Sequence, residues 1–269
     1  MSKIYLVSDI HVNHPENCEW IRKLSDHRDD ILLVAGDVSH SIGQCEEYLV
    51  MLKHKFKEVF FTPGNHDIWI SDDKFSNSIE KMDYLLTVLE QSGIRTKPAK
   101  IGSVWIVPLF SWYDGSLGLY DPLSEADHEL MKGWSDQYYV KWVNSTGYQT
   151  LFDRNREFIE SKISSDGSPV ITLSHMVPRR ELMPSQNYLR FKFLPHVSNS
   201  LFSHLQVAGS TILEDQIRQL GSCVHCYGHT HINWDRKLDG VRYVQNSLGY
   251  PKERAHWVEK EKLLFIGVY

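Results

Sequence analysis

Five short polar segments contain the residues that could do chemistry in this sequence. They read Asp9-Ile10-His11, Gly36-Asp37, Gly64-Asn65-His66-Asp67, Ser174-His175 and Gly228-His229-Thr230-His231. Each segment directly follows a short apolar run, where packing does not require carboxylates, imidazoles or an amide. These groups together suit Mn²⁺, Fe or Zn²⁺, and the lack of thiolates argues against a closed structural zinc site. The sequence therefore predicts a metal site built from strand ends.

Seven of these residues are candidate metal ligands, which is more than one ion needs. They are Asp9, His11, Asp37, Asn65, His175, His229 and His231. In an extended segment, residues two apart point the same way, so Asp9 with His11, and His229 with His231, can each serve one site. The set suits two ions roughly 3.5–4 Å apart that share a carboxylate bridge, which is a geometry used for phosphoryl transfer.

Alternating apolar runs and helical patterns would position these segments. Short aliphatic or β-branched runs predict strands over 4–7, 31–35 and 59–61, with helices at 20–24 and 45–56 between them. This order indicates crossover connections within a sheet, where ligands bind at the carboxyl ends of the strands. Further patterns predict strands over 104–110, 170–173, 223–227, 241–244 and 263–268, and helices over 79–91, 153–163 and 212–220.

The chain shows no internal repeat, low-complexity tract or linker, so we predict a single domain over 1–269. Two stretches, at about 111–148 and 177–210, lack a regular pattern and are predicted insertions on the substrate side. The first is rich in Trp and Tyr. It is interpreted either as a lid that stacks on an organic leaving group or as a cover for the sheet edge, and we favour the lid.

Composition and charge exclude several classes of protein. Hydrophobic residues make up 42% of the chain, which is typical of a folded domain rather than a disordered one. The 29 Lys and Arg residues against 34 Asp and Glu give a net charge of −5, which argues against binding to a nucleic-acid backbone. Because no apolar window could span a bilayer and no secretion signal is recognisable, we expect a cytoplasmic protein without membrane partners.

The ordered set of motifs resembles the calcineurin-like metallophosphoesterase superfamily, from Asp9 to His231. The segments 175–180 (HMVPRR) and 246–254 (NSLGYPKER) also resemble a branch of compact members of that superfamily. This resemblance implies an α/β fold, a four-layer α/β/β/α sandwich of two mixed β-sheets flanked by helices. It also implies two divalent metal ions, for which we expect Mn²⁺, with Fe, Zn²⁺ and Ni²⁺ as alternatives.

The resemblance also implies a role for each candidate ligand. One ion is held by Asp9, His11 and His231, the other by Asn65, His175 and His229, and Asp37 bridges the two. A hydroxide that bridges the ions attacks phosphorus in line. The resemblance leaves His66 outside the metal shell, where it stabilises or protonates the leaving oxygen.

Three further residues, Asp67, Arg179 and Arg180, each have two interpretations. Asp67 is a candidate catalytic residue that orients His66, but it could pair elsewhere. Arg179 and Arg180 are candidate substrate-binding residues because guanidinium groups suit phosphate oxygens. A structural ion pair with Glu181 or another acid is the alternative for these arginines.

The predicted function is metal-dependent hydrolysis of a phosphate ester, with a small-molecule phosphomonoester favoured as the substrate. A phosphodiesterase that acts on a nucleotide-like or other small diester is the first alternative, and a catalytically silent interaction scaffold is the second. A nuclease ranks low because the sequence has no clustered basic surface. The oligomeric state is not predicted.

Overall fold

The computed structural model describes residues 2–71, 74–118, 132–161, 166–184, 201–254 and 263–268, together with 125, 128 and 163. Ten strands lie in this part of the chain: β1 (Lys3–Val7), β2 (His27–Ala35), β3 (Phe56–Thr62), β4 (Ala99–Ile101), β5 (Val104–Pro108), β6 (Val170–Leu173), β7 (Ser222–Tyr227), β8 (Trp234–Leu238), β9 (Val241–Gln245) and β10 (Leu264–Val268). The described α-helices are α1 (Pro15–Lys23), α2 (Ile42–Lys55), α3 (Ser78–Gln91), α4 (Asp136–Tyr139), α5 (Gln149–Glu160), α6 (Leu201–Ala208), α7 (Thr211–Gln219) and α8 (Pro251–Arg254).

The strands form two mixed sheets. The first has the order β10-β1-β2-β3, in which β1, β2 and β3 are parallel and β10 is antiparallel to β1. The second has the order β4-β5-β6-β7-β9-β8, with β4 and β8 antiparallel at its edges. Because β1, β2 and β3 run in parallel, as do β6 and β7, the polar segments that follow them emerge at the carboxyl edges of their sheets.

Alternation along each strand separates the layers of the core. In β2, Ile31 and Leu33 join a buried cluster that contains Ile106 and Ile171 from the other sheet. The intervening residues Leu32 and Val34 instead pack in a cluster with residues of α1, α2 and α3. Helices α5 and α7 cover the outer face of the second sheet. The predicted four-layer arrangement of two mixed sheets flanked by helices is confirmed.

Capping side chains define where two of the flanking helices begin. Ser41 precedes α2 and accepts a hydrogen bond from the backbone nitrogen of Gln44. Asn77 precedes α3 and accepts one from the backbone nitrogen of Glu80 at 2.9 Å. Each cap satisfies a backbone N–H that has no partner within its helix. Both helices start close to the predicted positions.

The aromatic stretch predicted as an insertion packs onto the protein in its described portions. Trp112 is buried in a cluster with Ile68 and Met176, and Tyr113 and Trp142 contact the same cluster. The backbone nitrogen of Ile70 donates to the carbonyl of Tyr139 at 2.7 Å, which ties this stretch to the turn after β3. Much of 119–131 and of 185–200 in the two predicted insertions lies outside the described residues, and the single-domain boundary stays a prediction.

None of the helices in the described ranges is long and apolar enough to cross a membrane.

Candidate metal centre

The polar segments after β1, β2, β3, β6 and β7 converge on one cluster. Its potential ligand atoms form three groups in which all atoms lie within 4.8 Å of one another. These groups are Asp9–His11–His231, His11–Asp37–His66 and Asp9–Asp37–His175. Asn65 and His229 adjoin them, so the structure brings all seven sequence-predicted ligands together. Their assignment as metal ligands stays a prediction.

One half of the cluster consists of Asp9, His11 and His231. Oδ1 of Asp9 lies 3.4 Å from Nε2 of His231, and Nε2 of His11 lies 3.1 Å from the same nitrogen. Glu253 contacts the far side of this ring, with an oxygen 2.7 Å from Nδ1 of His231. A carboxylate can only accept a hydrogen bond, so Nδ1 of His231 donates to Glu253. The ring then presents Nε2 to the cluster.

The other half consists of Asn65, His175 and His229. Oδ1 of Asn65 lies 3.1 Å from Nε2 of His175 and 3.2 Å from Nδ1 of His229. Asp37 lies between the halves, with Oδ2 at 3.3 Å from Nε2 of His175 and 3.9 Å from Nε2 of His11. This central carboxylate is placed as a bridging ligand would be.

Backbone carbonyls fix which nitrogens of two histidines face the cluster. The carbonyl of Ala35 lies 2.9 Å from Nδ1 of His175, and that of Val207 lies 2.8 Å from Nε2 of His229. Each carbonyl accepts a proton from the nitrogen it contacts, so the opposite ring nitrogen of the neutral imidazole carries a lone pair. Both lone pairs then face Oδ1 of Asn65, which is also an acceptor. When both rings are neutral, three acceptors converge here, and either a proton on His175 or a metal cation can occupy the space between them.

Charge in the cluster is set by burial and by the two central carboxylates. Burial lowers the pKa of His175, but the charge of Asp37, the hydrogen bond of Asp37 to this ring and the charge of Asp9 together outweigh burial and raise that pKa to about 9. Burial likewise opposes protonation of His231, whereas the charge of Asp9 raises its pKa to about 10. Burial raises the pKa of Asp37, but His175 and neighbouring imidazoles hold it well below its usual range. Ionised carboxylates therefore draw positive charge into this buried site.

Unusual backbone conformations place the ligands. Asp9, His11, Asp37, His229 and His231 all have positive φ angles, between 45° and 73°. Extended backbone was predicted for the pairs Asp9 with His11 and His229 with His231, and that prediction is wrong because these positions are left-handed. The left-handed turns nevertheless direct the side chains into one cluster. Asp and His tolerate this region better than most residues, although it still carries strain.

His66 lies at the rim of the cluster. It begins the short 3₁₀ turn His66–Ile68, and its Nε2 is 3.9 Å from Oδ2 of Asp37. The side chain is 20% exposed, and its ring stacks on Trp69 with the centroids 3.7 Å apart. A partly exposed imidazole beside the central carboxylate is suitably placed for proton transfer to a leaving group. This role stays a prediction.

Asp67 is fully buried behind the cluster, where both of its oxygens accept hydrogen bonds from backbone nitrogens. Oδ2 contacts the nitrogens of Asp37 and Gly64 at 2.8 Å each, and Oδ1 contacts those of Val38 at 2.9 Å and Ser39 at 3.0 Å. Burial and the charge of Asp37 raise its pKa to about 6. The contacts favour a role in holding the loop of Asp37, and the predicted catalytic role of Asp67 stays untested.

Arg179 forms ion pairs with three acids. Its guanidinium lies 2.6 Å from Glu181, 2.7 Å from Asp239 and 3.5 Å from Glu214. Both Arg179 and Arg180 line an open groove of about 540 Å³ that these acids also line. For Arg179, these contacts favour the ion-pair alternative over substrate binding.

Two carboxylates next to the predicted ligands, those of Glu253 and Asp136, were not predicted from the sequence. Glu253, which contacts His231, lies within the segment 246–254 that carries part of the family resemblance, so a signal was present. Asp136 accepts a hydrogen bond from Nδ2 of Asn65 at 3.0 Å. It lies in the irregular aromatic stretch, where no local pattern marks a residue near the site.

The profile of the family described as calcineurin-like phosphoesterase matches residues 2–233, which include every sequence-predicted site residue. The chain belongs to the calcineurin-like phosphoesterase family. Membership confirms the resemblance, and the protein is a metal-dependent phosphoesterase. This family generally uses two divalent metal ions, for which the cluster supplies suitable groups.

This phosphoesterase is similar to a curated relative and to solved structures. It is 26% identical over 263 residues to the [acyl-carrier-protein] phosphodiesterase PptH of Mycobacterium tuberculosis (strain ATCC 25618 / H37Rv). The aligned region covers 93% of this chain and 78% of the relative. The crystal structure of phosphopantetheinyl hydrolase (PptH) from Mycobacterium tuberculosis matches 98% of this chain and 95% of that chain, with a TM-score of 0.78 and 23% identity. TT1561 of Thermus thermophilus matches 98% of each chain, with a TM-score of 0.53 and 10% identity. The structural matches show a shared fold.

Proposed function

We propose that this phosphoesterase hydrolyses a phosphodiester rather than the phosphomonoester favoured from the sequence. The observation that carries this choice is the placement of Arg179. A monoester presents an extra negative charge on its terminal phosphate, and Arg179 and Arg180 were the candidates to neutralise it. The guanidinium of Arg179 is instead paired with Glu181, Asp239 and Glu214. A diester places less demand on such a cation because its phosphate carries one charge.

The relative supports the same choice and indicates a substrate class. PptH of Mycobacterium tuberculosis is named an [acyl-carrier-protein] phosphodiesterase, and its crystal structure is that of a phosphopantetheinyl hydrolase. We therefore propose that the diester joins a phosphopantetheine arm to a carrier protein. This substrate is protein-borne and so differs from the small free ester expected from the sequence. The cytoplasmic location stays a prediction.

The roles proposed for the residues follow from their positions. Asp9, His11 and His231 would hold one divalent ion, Asn65, His175 and His229 the other, and Asp37 both. Such ions, when bound, activate water and neutralise phosphate oxygens. We assign His66 to the leaving oxygen, since its side chain is partly exposed and its Nε2 lies 3.9 Å from Oδ2 of Asp37. Burial lowers the pKa of His66, and a bound phosphate anion opposes that effect, so the ring can donate a proton to the departing group.

The experiment compares initial rates on bis-p-nitrophenyl phosphate and p-nitrophenyl phosphate with Mn²⁺. Asp37→Asn is the inactive blank, and Asp83→Asn is the matched control because Asp83 forms a surface ion pair with Arg154. We expect faster hydrolysis of the diester by the wild type and by the control. Faster hydrolysis of the monoester would overturn the proposal.

A second assay addresses the protein-borne substrate. Carrier protein bearing a phosphopantetheine arm is incubated with the enzyme and Mn²⁺, and its mass is followed by mass spectrometry. We expect conversion to the unmodified carrier protein, with release of the intact phosphorylated arm. If synthetic diesters react while the carrier protein keeps its arm, the proposed substrate class is wrong and the diester chemistry stands.

A further inference from the structure

Asp136 is a buried carboxylate in α4 that contacts the metal centre from outside the family motifs. Only 3% of the residue is exposed. Its Oδ1 accepts hydrogen bonds from Nδ2 of Asn65 at 3.0 Å and from Nε1 of Trp69. Its Oδ2 accepts one from Nε1 of Trp134 at 2.9 Å. Asp136 thus accepts hydrogen bonds from three side-chain N–H groups, as a buried carboxylate requires.

The contact with Asn65 determines which way the side-chain amide points. An ionised carboxylate only accepts hydrogen bonds, so it must face the Nδ2 group of Asn65. The amide oxygen is thereby turned toward Nε2 of His175 at 3.1 Å and Nδ1 of His229 at 3.2 Å. A flipped amide would place a nitrogen there, and an amide N–H cannot bind a cation. Asp136 therefore selects the orientation in which Asn65 can act as a ligand.

The contact with Trp69 also connects Asp136 to His66 at the rim of the site. The indole that donates to Asp136 is stacked on His66, with the centroids 3.7 Å apart. Trp134, which donates to the other oxygen, has its ring edge-on to His229 at a centroid distance of 6.3 Å. One carboxylate therefore anchors aromatic rings beside two residues of the cluster.

We propose that Asp136 is a positioning residue: it fixes the Asn65 amide for metal binding and, through Trp69, holds the ring of His66. The half of the centre formed by Asn65, His175 and His229 then reaches full metal affinity only while Asp136 holds the Asn65 amide. This inference rests on the metal-dependent phosphoesterase function but does not depend on which ester is the substrate.

The test is Mn²⁺ binding to Asp136→Leu, measured by titration calorimetry and by the number of ions retained after dialysis. Leucine has the branched shape of the aspartate side chain but no hydrogen-bond acceptor, so the Asn65 amide loses the partner that selects its orientation. Loss of such an outer contact typically costs 10–100-fold in metal affinity. We expect a loss in that range for one of the two ions and little change for the other. Two ions bound with wild-type affinity would overturn the proposal.

The matched control is Asp114→Leu, a substitution of the same kind in the same stretch of chain. Asp114 accepts hydrogen bonds from Ser116 and Ser210. This variant should keep both Mn²⁺ affinities. An equal loss of metal affinity in both variants would mean that any disturbance of the stretch weakens the site, which contradicts a specific role for Asp136.

A double-mutant cycle separates positioning from general structural support. In an Asn65→Ala background, Asp136→Leu should cause no further loss of Mn²⁺ affinity, because the amide that Asp136 positions is absent. An undiminished additional loss would overturn the proposal. If Asp136→Leu does not fold, Asp136→Glu keeps an acceptor-only group, and we expect it to retain two ions where Asp136→Ala retains one. Mn²⁺ binding is measured without substrate, so this test can still be interpreted if the phosphodiester proposal fails.

Discussion

Asp67 supports Asp37 from behind: Oδ2 of Asp67 accepts a hydrogen bond from the backbone nitrogen of Asp37 at 2.8 Å. The side chain of Asp37 in turn accepts one from the backbone nitrogen of His66 at 2.9 Å. The residue between the two halves of the metal centre is therefore held by a carboxylate that does not face that centre. This relationship makes the role of Asp67 testable through stability.

Asp67→Ala should lower the free energy of unfolding by about 2–4 kcal/mol, because several buried backbone N–H groups lose their acceptor. Urea denaturation in metal-free buffer measures this change. The control Asp83→Ala, which removes a surface ion pair, should cost less than about 1 kcal/mol. Unchanged stability together with lost activity would instead support a catalytic role for Asp67.

Gly64→Ala should weaken metal binding. A Cβ at this position would lie 2.7 Å from the backbone nitrogen of Asp37 and 2.8 Å from Cγ of His175, so both residues must shift. We expect at least a tenfold loss in Mn²⁺ affinity, roughly the lower end of the cost of disturbing ligand orientation. Gly43→Ala is the control, since nothing lies within 4 Å of its Cβ. Equal affinities for the two variants would contradict this close packing.

Glu253→Gln should reduce affinity for the ion held by Asp9, His11 and His231. The glutamate fixes Nδ1 of His231 at 2.7 Å and strengthens the opposite nitrogen as a ligand. We expect a loss of about 10–100-fold for one Mn²⁺ in calorimetric titration. Glu80→Gln, on the exposed first turn of α3, provides a control that should bind as the wild type does. Retention of full affinity in Glu253→Gln would refute this role.

Arg179→Met should destabilise the protein while leaving the KM for bis-p-nitrophenyl phosphate within about twofold of the wild type. The side chain of Arg179 is 15% exposed, but those of Glu181 and Asp239 are 57% and 71% exposed, so solvent screens these pairs and we expect a loss of about 1 kcal/mol in unfolding free energy. The opposite pattern, a KM raised more than tenfold with stability unchanged, would restore Arg179 as a substrate-binding residue.

His225 should make stability depend on pH. It lies between Thr172 and Ser174, with its ring nitrogens 2.8 Å and 3.1 Å from their hydroxyls, and burial lowers its pKa to about 3. The unfolded chain takes up this proton near its usual pKa of about 6.5 while the folded chain does not. Stability is therefore lost as the pH falls from about 6.5 toward 3, by up to about 1.4 kcal/mol per pH unit.

The measurement for His225 is urea denaturation at several pH values in metal-free buffer. His225→Gln should show a shallower fall than the wild type in that window. His54→Gln, a change at an exposed position of α2, should follow the wild-type profile. Parallel profiles for the wild type and His225→Gln would contradict the expectation.

The sequence could predict much of the fold and the candidate ligand set because both depend on local signals. Runs such as 31–35 combine apolar residues with a polar end, and that end marks a sheet edge. Strands β4 and β8 were missed because they are edge strands. The segment Trp234–Leu238 carries Asp, Arg and Lys in a half-exposed alternation that resembles a loop.

Long-range contacts account for the rest. Asp136 meets Asn65 across 71 residues of chain, and no spacing rule connects a short helix in an aromatic stretch to a turn after β3. Arg179 shows the same limit, because its motif position suggested phosphate while Asp239, in the turn after β8, neutralises its charge.

The left-handed backbone of Asp9, His11, Asp37, His229 and His231 has a consequence for how this protein could change over generations. At each of these positions a side chain is kept in a conformation that glycine adopts more easily, at a cost of order 1–3 kcal/mol. Selection for hydrolysis maintains these residues despite that cost. A descendant released from selection for hydrolysis should accumulate glycine or asparagine at these five positions early, and gain thermal stability as its chemistry decays.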